Sequence, residues 1–390
     1  MNSPRQLRQA IETEARRLGF ELFGVTTAEP PAGFGVFQRW IEEGKHAQMG
    51  YLASERSLER RREPRLILPE CRSILALGTR YPAPLAAQKE PPTGASPAGR
   101  VASYAWGDDY HEALGERLAA LADYIERLVG EPVPNRWYTD TGPLLERELA
   151  QRAGLGWIGK NACLINPRHG SYFLLAEMLL GLELEPDPAF AHDHCGSCTR
   201  CLEACPTGCI LPDRTIDAGR CISYLTIELK GAVASEMRPQ LGEWVFGCDI
   251  CQQVCPWNIR FARPQGDPAF EMRPGLPAPE LLQELGMPQE AFSRKFKRSP
   301  VKRARRAGYL RNVALALGNQ PDPRSVPALA NALLHEPEAL IRQHAAWALG
   351  RIDCAESRAA LEAALQSEAD AVVLDELRAA LGRARTQNKP

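Results

Sequence analysis

The sequence has no long apolar run. No stretch is long and apolar enough to span a bilayer, and MNSPRQLRQAIETEARRLGF at the start lacks the continuous apolar segment of an export signal. A cytoplasmic protein with no membrane partner is therefore expected. Net charge is nearly absent too, at −1, but that value averages over segments and says little about partners. Acids are missing in one place that matters: Arg294 to Arg311 holds nine Lys or Arg residues and no Asp or Glu. No credible haem or dinucleotide signature is present. Gly154, Gly156 and Gly159 fit G-x-G-x-x-G, yet they follow the helical stretch RELAQRA and lead into the strand-like SYFLLAEMLL. That reverses the context a dinucleotide site needs, which is a strand before and a helix after.

What is present in quantity is cysteine. Twelve of them in a cytoplasmic chain point to metal rather than disulfides. CGSCTRCLEACP, from Cys195 to Pro206, has the spacing C-x2-C-x2-C-x3-C-P, in which three thiolates hold one iron–sulfur cluster and the fourth reaches a second. CDICQQVCP downstream supplies Cys248, Cys251 and Cys255, and the position where a full run would carry its other cysteine is Val245. Cys221, between the runs, is the best replacement. The expected sets are Cys195, Cys198, Cys201 and Cys255 for cluster one, and Cys205, Cys221, Cys248 and Cys251 for cluster two. Structural zinc also uses Cys-x-x-Cys pairs, but it leaves the two Cys-Pro endings and the crossed arithmetic unexplained. Cys209, four residues after Cys205, is a rival ligand; Cys71, Cys163, Cys209 and Cys354 otherwise read as small buried hydrophobes.

A chain of 390 residues exceeds one ordinary core and implies about two to four domains. Hydrophobic content of 44% and charged content of 24% are those of a soluble globular protein. Helical spacing over 5–19, a strand at 20–26, a helical stretch around Phe37–Glu43 and the apolar run SILALGTRY at 73–81 give an α/β (α+β) order. Residues 82–99, rich in Pro, Gly and Ala, read as a mobile loop. A helix is expected from about His111. In DTGPLLERELAQRAGLGWIGKN, Pro143 suits a first helical position, which makes Asp140 or Thr141 a candidate cap.

Beyond a proline-rich passage, the chain repeats with a period of 32. Ala316-Leu317-Gly318 recurs as Ala348-Leu349-Gly350 and as Ala380-Leu381-Gly382. Roughly two and a half HEAT-like helix pairs are implied, whose first turn should pack on the rest of the protein for want of a cap. The division expected is 1–188, an α/β domain; 189–262, a ferredoxin-like two-[4Fe-4S] domain; 263–292, a proline-rich linker; and 293–386, the basic segment with helical repeats.

Two clusters move single electrons and need a terminal acceptor upstream. CGSCTRCLEACPTGCI, RCISYLTIELKG, GCDICQQVCPWN, the DTGP block and the terminal repeats together resemble the epoxyqueuosine reductase family, cobalamin-dependent iron–sulfur enzymes of tRNA modification. The resemblance covers nearly the whole chain in the expected order. It implies an oxidoreductase that converts epoxyqueuosine to queuosine at the wobble position of tRNA with a GUN anticodon, with cobalamin bound between the α/β domain and the clusters. Asp140 aligns with the family's proposed proton donor, a role that requires a dry pocket to keep its carboxyl protonated. By the same resemblance the cobalamin contacts are Arg62, Ser103, Tyr104, Asp140, Gly159, Lys160 and Asn161. Ser223 and Asp249 join them because each lies beside a cluster-two ligand.

The basic run then becomes the surface for the tRNA anticodon stem–loop, through Arg294, Lys295, Lys297, Arg298, Lys302 and Arg303, with Lys230 nearer the reaction centre. A low-potential electron donor and a monomeric state are expected. Cys209 departs from the family pattern, where a small non-thiol residue is usual. Two readings compete. A reductive dehalogenase would share cobalamin and clusters but would usually carry an export signal and have no use for a basic repeat, and a two-cluster electron carrier would hold no cobalamin.

Overall fold

The computed structural model describes residues 3–84 and 96–387. Most of the loop expected at 82–99, residues 85–95, lies outside the described residues. The chain forms two compact units. Unit 1 comprises Met1–Gln88, Gly107–Gly219 and Asp249–Glu271; unit 2 comprises Lys89–Trp106, Arg220–Cys248 and Met272–Pro390. Compactness therefore divides the 189–262 stretch, which gives Arg220–Cys248 to unit 2.

Unit 1 is built on a four-stranded sheet in the order Leu22–Thr27, Ser73–Arg80, Phe173–Leu180, Asn135–Tyr138. Ser73–Arg80 is flanked on both edges and nearly all buried, which is why its sequence reads as a continuous apolar run. All three pairings are antiparallel. The alternation of helix and strand does not show this, because a crossover to a parallel neighbour gives the same order. Here the connection from Ala28 to Arg72 returns to the end of the sheet it left, and Thr27 pairs with Ser73.

Side chains alternate across a sheet, so one face carries Ala76, Glu177 and Tyr138, which stand opposite one another in register. Helix Glu146–Arg152 covers this face, its Ala150 and Leu149 packing with Leu22, Ala76, Ile74 and Leu179. Trp137 points to the other face and meets helix Tyr110–Val129 at Gly115. That helix starts where its periodicity predicts: Asp109 caps it by accepting from the His111 N–H, and Gly130, at φ 88°, ends it.

In unit 2, helices Arg305–Asn319, Ala339–Ile352 and Ala371–Gln387 stack in succession, with Val326–His335 and Ala355–Ser367 packed between them. The repeated glycine has a steric cause. A Cβ on Gly318 would lie 2.5 Å from the Trp347 ring and 2.9 Å from Cα of Ala348, and one on Gly350 would lie 2.7 Å from Cβ of Ala380. Each glycine thus receives the alanine of the next repeat, which brings neighbouring helices close. Arg305–Asn319, first in the stack, is buried along most of its length. Arg311 donates to the carbonyls of Leu225, Leu229 and Gly231, and Asn312 to those of Thr226 and Val245. The stack is closed at this end by the 220–248 segment rather than by a polar cap. A short parallel pair, Arg100–Val101 with Trp244–Phe246, completes the unit.

Candidate functional site

Unit 1 brings together the four cysteines expected at cluster one. Cys195, Cys198, Cys201 and Cys255 line a cavity of about 130 Å³, with Lys160, Asn161 and Trp257 among its other walls. The thiols surround a void rather than a point: among the described residues no three His, Cys, Asp or Glu side chains are set to hold a single metal ion. Burial and the neighbouring thiols push Cys201 and Cys255 above the ordinary cysteine value. Four sulfurs that repel one another when ionised are the donor set a multi-iron cluster neutralises, and the cavity fits one. Trp157 donates its indole N–H to Cys195 Sγ at 3.5 Å, and packs against Trp257, Phe190 and His194. This aromatic wall supplies the low-dielectric side of the cavity.

The cysteines expected for the second set divide by unit. Cys205 and Cys251 belong to unit 1; in unit 2, Cys221 precedes helix Ile222–Ile227 and Cys248 follows strand Trp244–Phe246. Two thiols expected as packing residues, one of them also a rival ligand, lie beside cysteines of this expected set. Cys209 Sγ is 3.5 Å from Cys205 Sγ and pushes it up to about 12, with burial adding to the effect. Cys163 hydrogen-bonds with Cys251, which holds its thiol below the ordinary value. Cys71 is a core residue as expected, whereas Cys354 caps helix Ala355–Ser367, its sulfur accepting from the Ser357 N–H.

Asp140 stands on the turn between strand Asn135–Tyr138 and helix Glu146–Arg152. It is no helix cap, because the helix starts six residues later behind Leu145. Its φ of 59° is left-handed, a conformation aspartate tolerates better than most residues. The turn is tied down at four points. Thr139 Oγ1 donates to the Leu175 carbonyl at 2.8 Å, the Asp140 N–H to Glu146 Oε1 at 2.8 Å, and Arg61 to the Gly142 carbonyl at 3.4 Å. Tyr110 Oη donates to Asp140 Oδ2 at 2.6 Å. Gly142 is required by close approach, since a Cβ there would lie 2.5 Å from the Tyr138 ring. The Asp140 side chain is otherwise open to solvent, 67% exposed.

His111 is an addition that sequence reasoning missed. Its Nδ1 lies 2.7 Å from Asp109 Oδ1 and its Nε2 4.0 Å from Asp140 Oδ2. Burial pushes the Asp109 carboxyl up, but the hydrogen bonds from the His111 ring and N–H outweigh it and leave Asp109 below its ordinary value. The sequence signal for His111, Asp109-Tyr110-His111, coincides with the first turn of helix Tyr110–Val129 and is masked by that role. Arg61 was missed as well. It is the buried arginine of its helix, whereas Arg62, the residue singled out, is exposed.

The remaining cofactor candidates divide by unit. In unit 1, Lys160 donates to the carbonyls of Gly196 at 2.7 Å and Cys198 at 3.0 Å, so its ammonium clamps the cluster-one loop. Asn161 keeps a buried side-chain amide nitrogen with no partner among the described residues, a donor suited to an acceptor-rich cofactor. Gly159 packs against Ile165, and Asp249 is buried, accepting from Gln252. In unit 2, Ser103 is buried, Tyr104 packs on Phe246 at 6.2 Å, and Ser223 lies in helix Ile222–Ile227.

The basic run of unit 2 separates into two classes. Arg294, Lys297, Arg298 and Lys302 are exposed. Lys295 is held by Glu284, and Arg303 pairs with Glu228 through two contacts of 2.9 Å. Lys230 donates to the carbonyls of Ile227 and Arg303, and Arg311, at the end of the run, is fully buried.

Comparison with known proteins matches three stretches of the chain to family models. Residues 61–141 match the family described as epoxyqueuosine reductase QueG, 194–258 a 4Fe-4S double cluster binding domain, and 304–382 HEAT repeats. The chain is 40% identical over 348 residues to the epoxyqueuosine reductase of Pseudomonas aeruginosa, covering 89% of this chain and 95% of that one. A crystal structure of epoxyqueuosine reductase with an epoxyqueuosine-modified tRNA-Tyr stem loop superposes with a TM-score of 0.90 at 32% identity, over 97% of this chain and 99% of that one. The Bacillus subtilis enzyme, with its catalytic aspartate loop swung out of the active site, gives 0.87 at 32% identity over the same shares.

Proposed function

Because the chain belongs to the epoxyqueuosine reductase family, we propose that it reduces epoxyqueuosine in tRNA to queuosine. The observation that carries this reading is the likeness along nine-tenths of the chain to enzymes of that name. The epoxide oxygen leaves as water, which takes two electrons and two protons. When bound, cobalamin supplies a low-valent cobalt reductant and the two clusters the single electrons that regenerate it. The thiols named above hold the clusters, with Cys221 and Cys248 completing the second set. Asn161, Arg62, Asp249, Gly159, Ser103, Tyr104 and Ser223 are proposed to contact the corrin, and Lys160 to brace the loop of cluster one.

This chain's own chemistry lies at the Asp140 turn. Opening an epoxide develops negative charge on oxygen, and a positioned acid lowers that barrier. Asp140 donates the proton from its carboxyl. Tyr110 orients the carboxyl through Oδ2, and His111, fixed by Asp109, faces the same oxygen and can return a proton from solvent. Arg294, Lys297, Arg298 and Lys302 neutralise backbone phosphates of the anticodon stem–loop, a contact that positions without reading sequence. Lys295, Arg303 and Lys230 add to the same surface while bracing it. A low-potential donor feeds the clusters of a monomeric, cytoplasmic enzyme; among the described residues no helix is long and apolar enough to cross a membrane.

The test is an anaerobic reaction of tRNA containing epoxyqueuosine with cobalamin, a strong reductant and the iron-loaded protein, read by nucleoside mass spectrometry. Queuosine is expected. Its absence with the clusters and cobalamin bound would overturn the reading.

A further inference from the structure

Beneath the Asp140 turn lies a carboxyl that none of the roles above uses. Glu177 sits in the sheet with 0% exposure, and neither of its oxygens has a hydrogen-bond donor among the described residues. What it faces is another carboxyl. Glu146, at the start of the helix over this face, lies within hydrogen-bonding reach of Glu177, and its Oε1 accepts from the Asp140 N–H. Glu177 is fully buried and Glu146 partly so, and two carboxylates at contact there repel strongly enough to favour keeping one proton between them.

We propose that Glu177 and Glu146 share a proton under the Asp140 turn, that this shared proton keeps the turn closed, and that its loss lets the turn swing away. Glu177 is then a positioning residue that acts on the catalytic acid through Glu146.

The charges around the pair agree with this. Asp140 adds a third acidic group, and Arg147 and Arg61 are the cations within range. Tyr138 stands opposite Glu177 on one neighbouring strand, and Ala76 on the other brings no charge. Burial, then the Asp140 charge, push Glu146 up to about 8, and burial with Glu146 pushes Glu177 well above the ordinary carboxyl range. A carboxyl raised on folding contributes stability that is complete below the ordinary 4.5 and is lost as pH rises through about 8. The turn therefore opens on the alkaline side. In any state but the doubly ionised one, Glu146 can accept from Asp140 while bonded to Glu177.

Glu177→Gln supplies an N–H to Glu146 with no proton to lose, so it should keep the turn closed and abolish the pH dependence. The measurement is hydrogen exchange of residues 138–146 in the full chain without cobalamin or tRNA, between about pH 7 and pH 9, corrected for intrinsic exchange. Wild type is expected to open about tenfold more at the alkaline end, equivalent to one pKa unit of differential stabilisation, and Glu177→Gln to show no rise. Glu177→Ala, which removes the partner altogether, should open at every pH. A flat wild-type profile, or a Glu177→Gln slope equal to that of wild type, would overturn the proposal. Its catalytic meaning rests on Asp140 being the acid, but the exchange readout involves no turnover, so failure of the proposed function would appear separately.

Discussion

Asp140 is held from two sides, its main chain by Glu146 and its carboxylate by Tyr110. Asp140→Asn keeps the shape and the main-chain contact but removes the acid. Single-turnover reduction should slow by about 10²–10⁴-fold while iron content and cobalamin absorption stay at wild-type levels; an unchanged rate would take Asp140 out of the chemistry. At Cys205, its close neighbour Cys209 poses a separate question. If the four other thiols of set two suffice, Cys209→Ala should retain about eight irons per chain by colorimetric assay, and a loss of about four would exchange the ligand assignments. Residues of this kind differ in how legible they are. The cluster cysteines are readable because most of their spacing is local, and Asp140 through its resemblance. Glu177, His111 and Arg61 meet the Asp140 turn only because sheet register and helix packing carry them there from 30 to 80 positions away, and no local pattern encodes that.

Helices of the repeat were announced by Ala-Leu-Gly at a period of 32, and the structure gives the motif its cause in the close approach at Gly318 and Gly350. The third copy provides a control, because a Cβ on Gly382 meets nothing within 4 Å among the described residues. Gly318→Ala should destabilise by about 1–3 kcal/mol through overpacking. Gly382→Ala should be neutral or gain up to about 1 kcal/mol from helix propensity. Thermal and denaturant melts of the two variants measure this, and equal effects would remove the steric explanation. Three strands of the main sheet and the long helix from Tyr110 were legible to within a few residues, whereas the edge strand Asn135–Tyr138, only partly buried and too short to show alternation, was not. The antiparallel order of the sheet was not, because periodicity fixes which face a side chain takes and leaves strand direction open. The late start of helix Glu146–Arg152 was also hidden: Pro143 looks like a first helical residue, but the chain first makes the turn that holds Asp140.

For the whole molecule, the distribution of basic side chains predicts how RNA binding responds to salt. Lys297→Glu and Lys302→Glu, at exposed positions, should each weaken tRNA affinity and reduce the slope of log K against log salt by about one. Lys295→Ala and Arg303→Ala break ion pairs with Glu284 and Glu228, so they should cost more in stability than in slope. Fluorescence anisotropy with a labelled anticodon stem–loop across a salt series separates the two classes. The domain order read from sequence is linear, whereas the fold is not: each unit takes three separate stretches of chain. In unit 1, Arg117 is locked by two hydrogen bonds of 2.7 Å to Asp267, 150 positions later, and Cys255 closes a ring begun at Cys195. During synthesis on a ribosome the first half of the polypeptide can therefore build its sheet but cannot finish its fold. The last parts of unit 1 emerge only after the segment that belongs to unit 2 has passed. Iron delivered before residue 255 leaves the exit tunnel would meet an incomplete set of the proposed thiols, so cluster assembly on this protein waits until about two thirds of its 390 residues have been made.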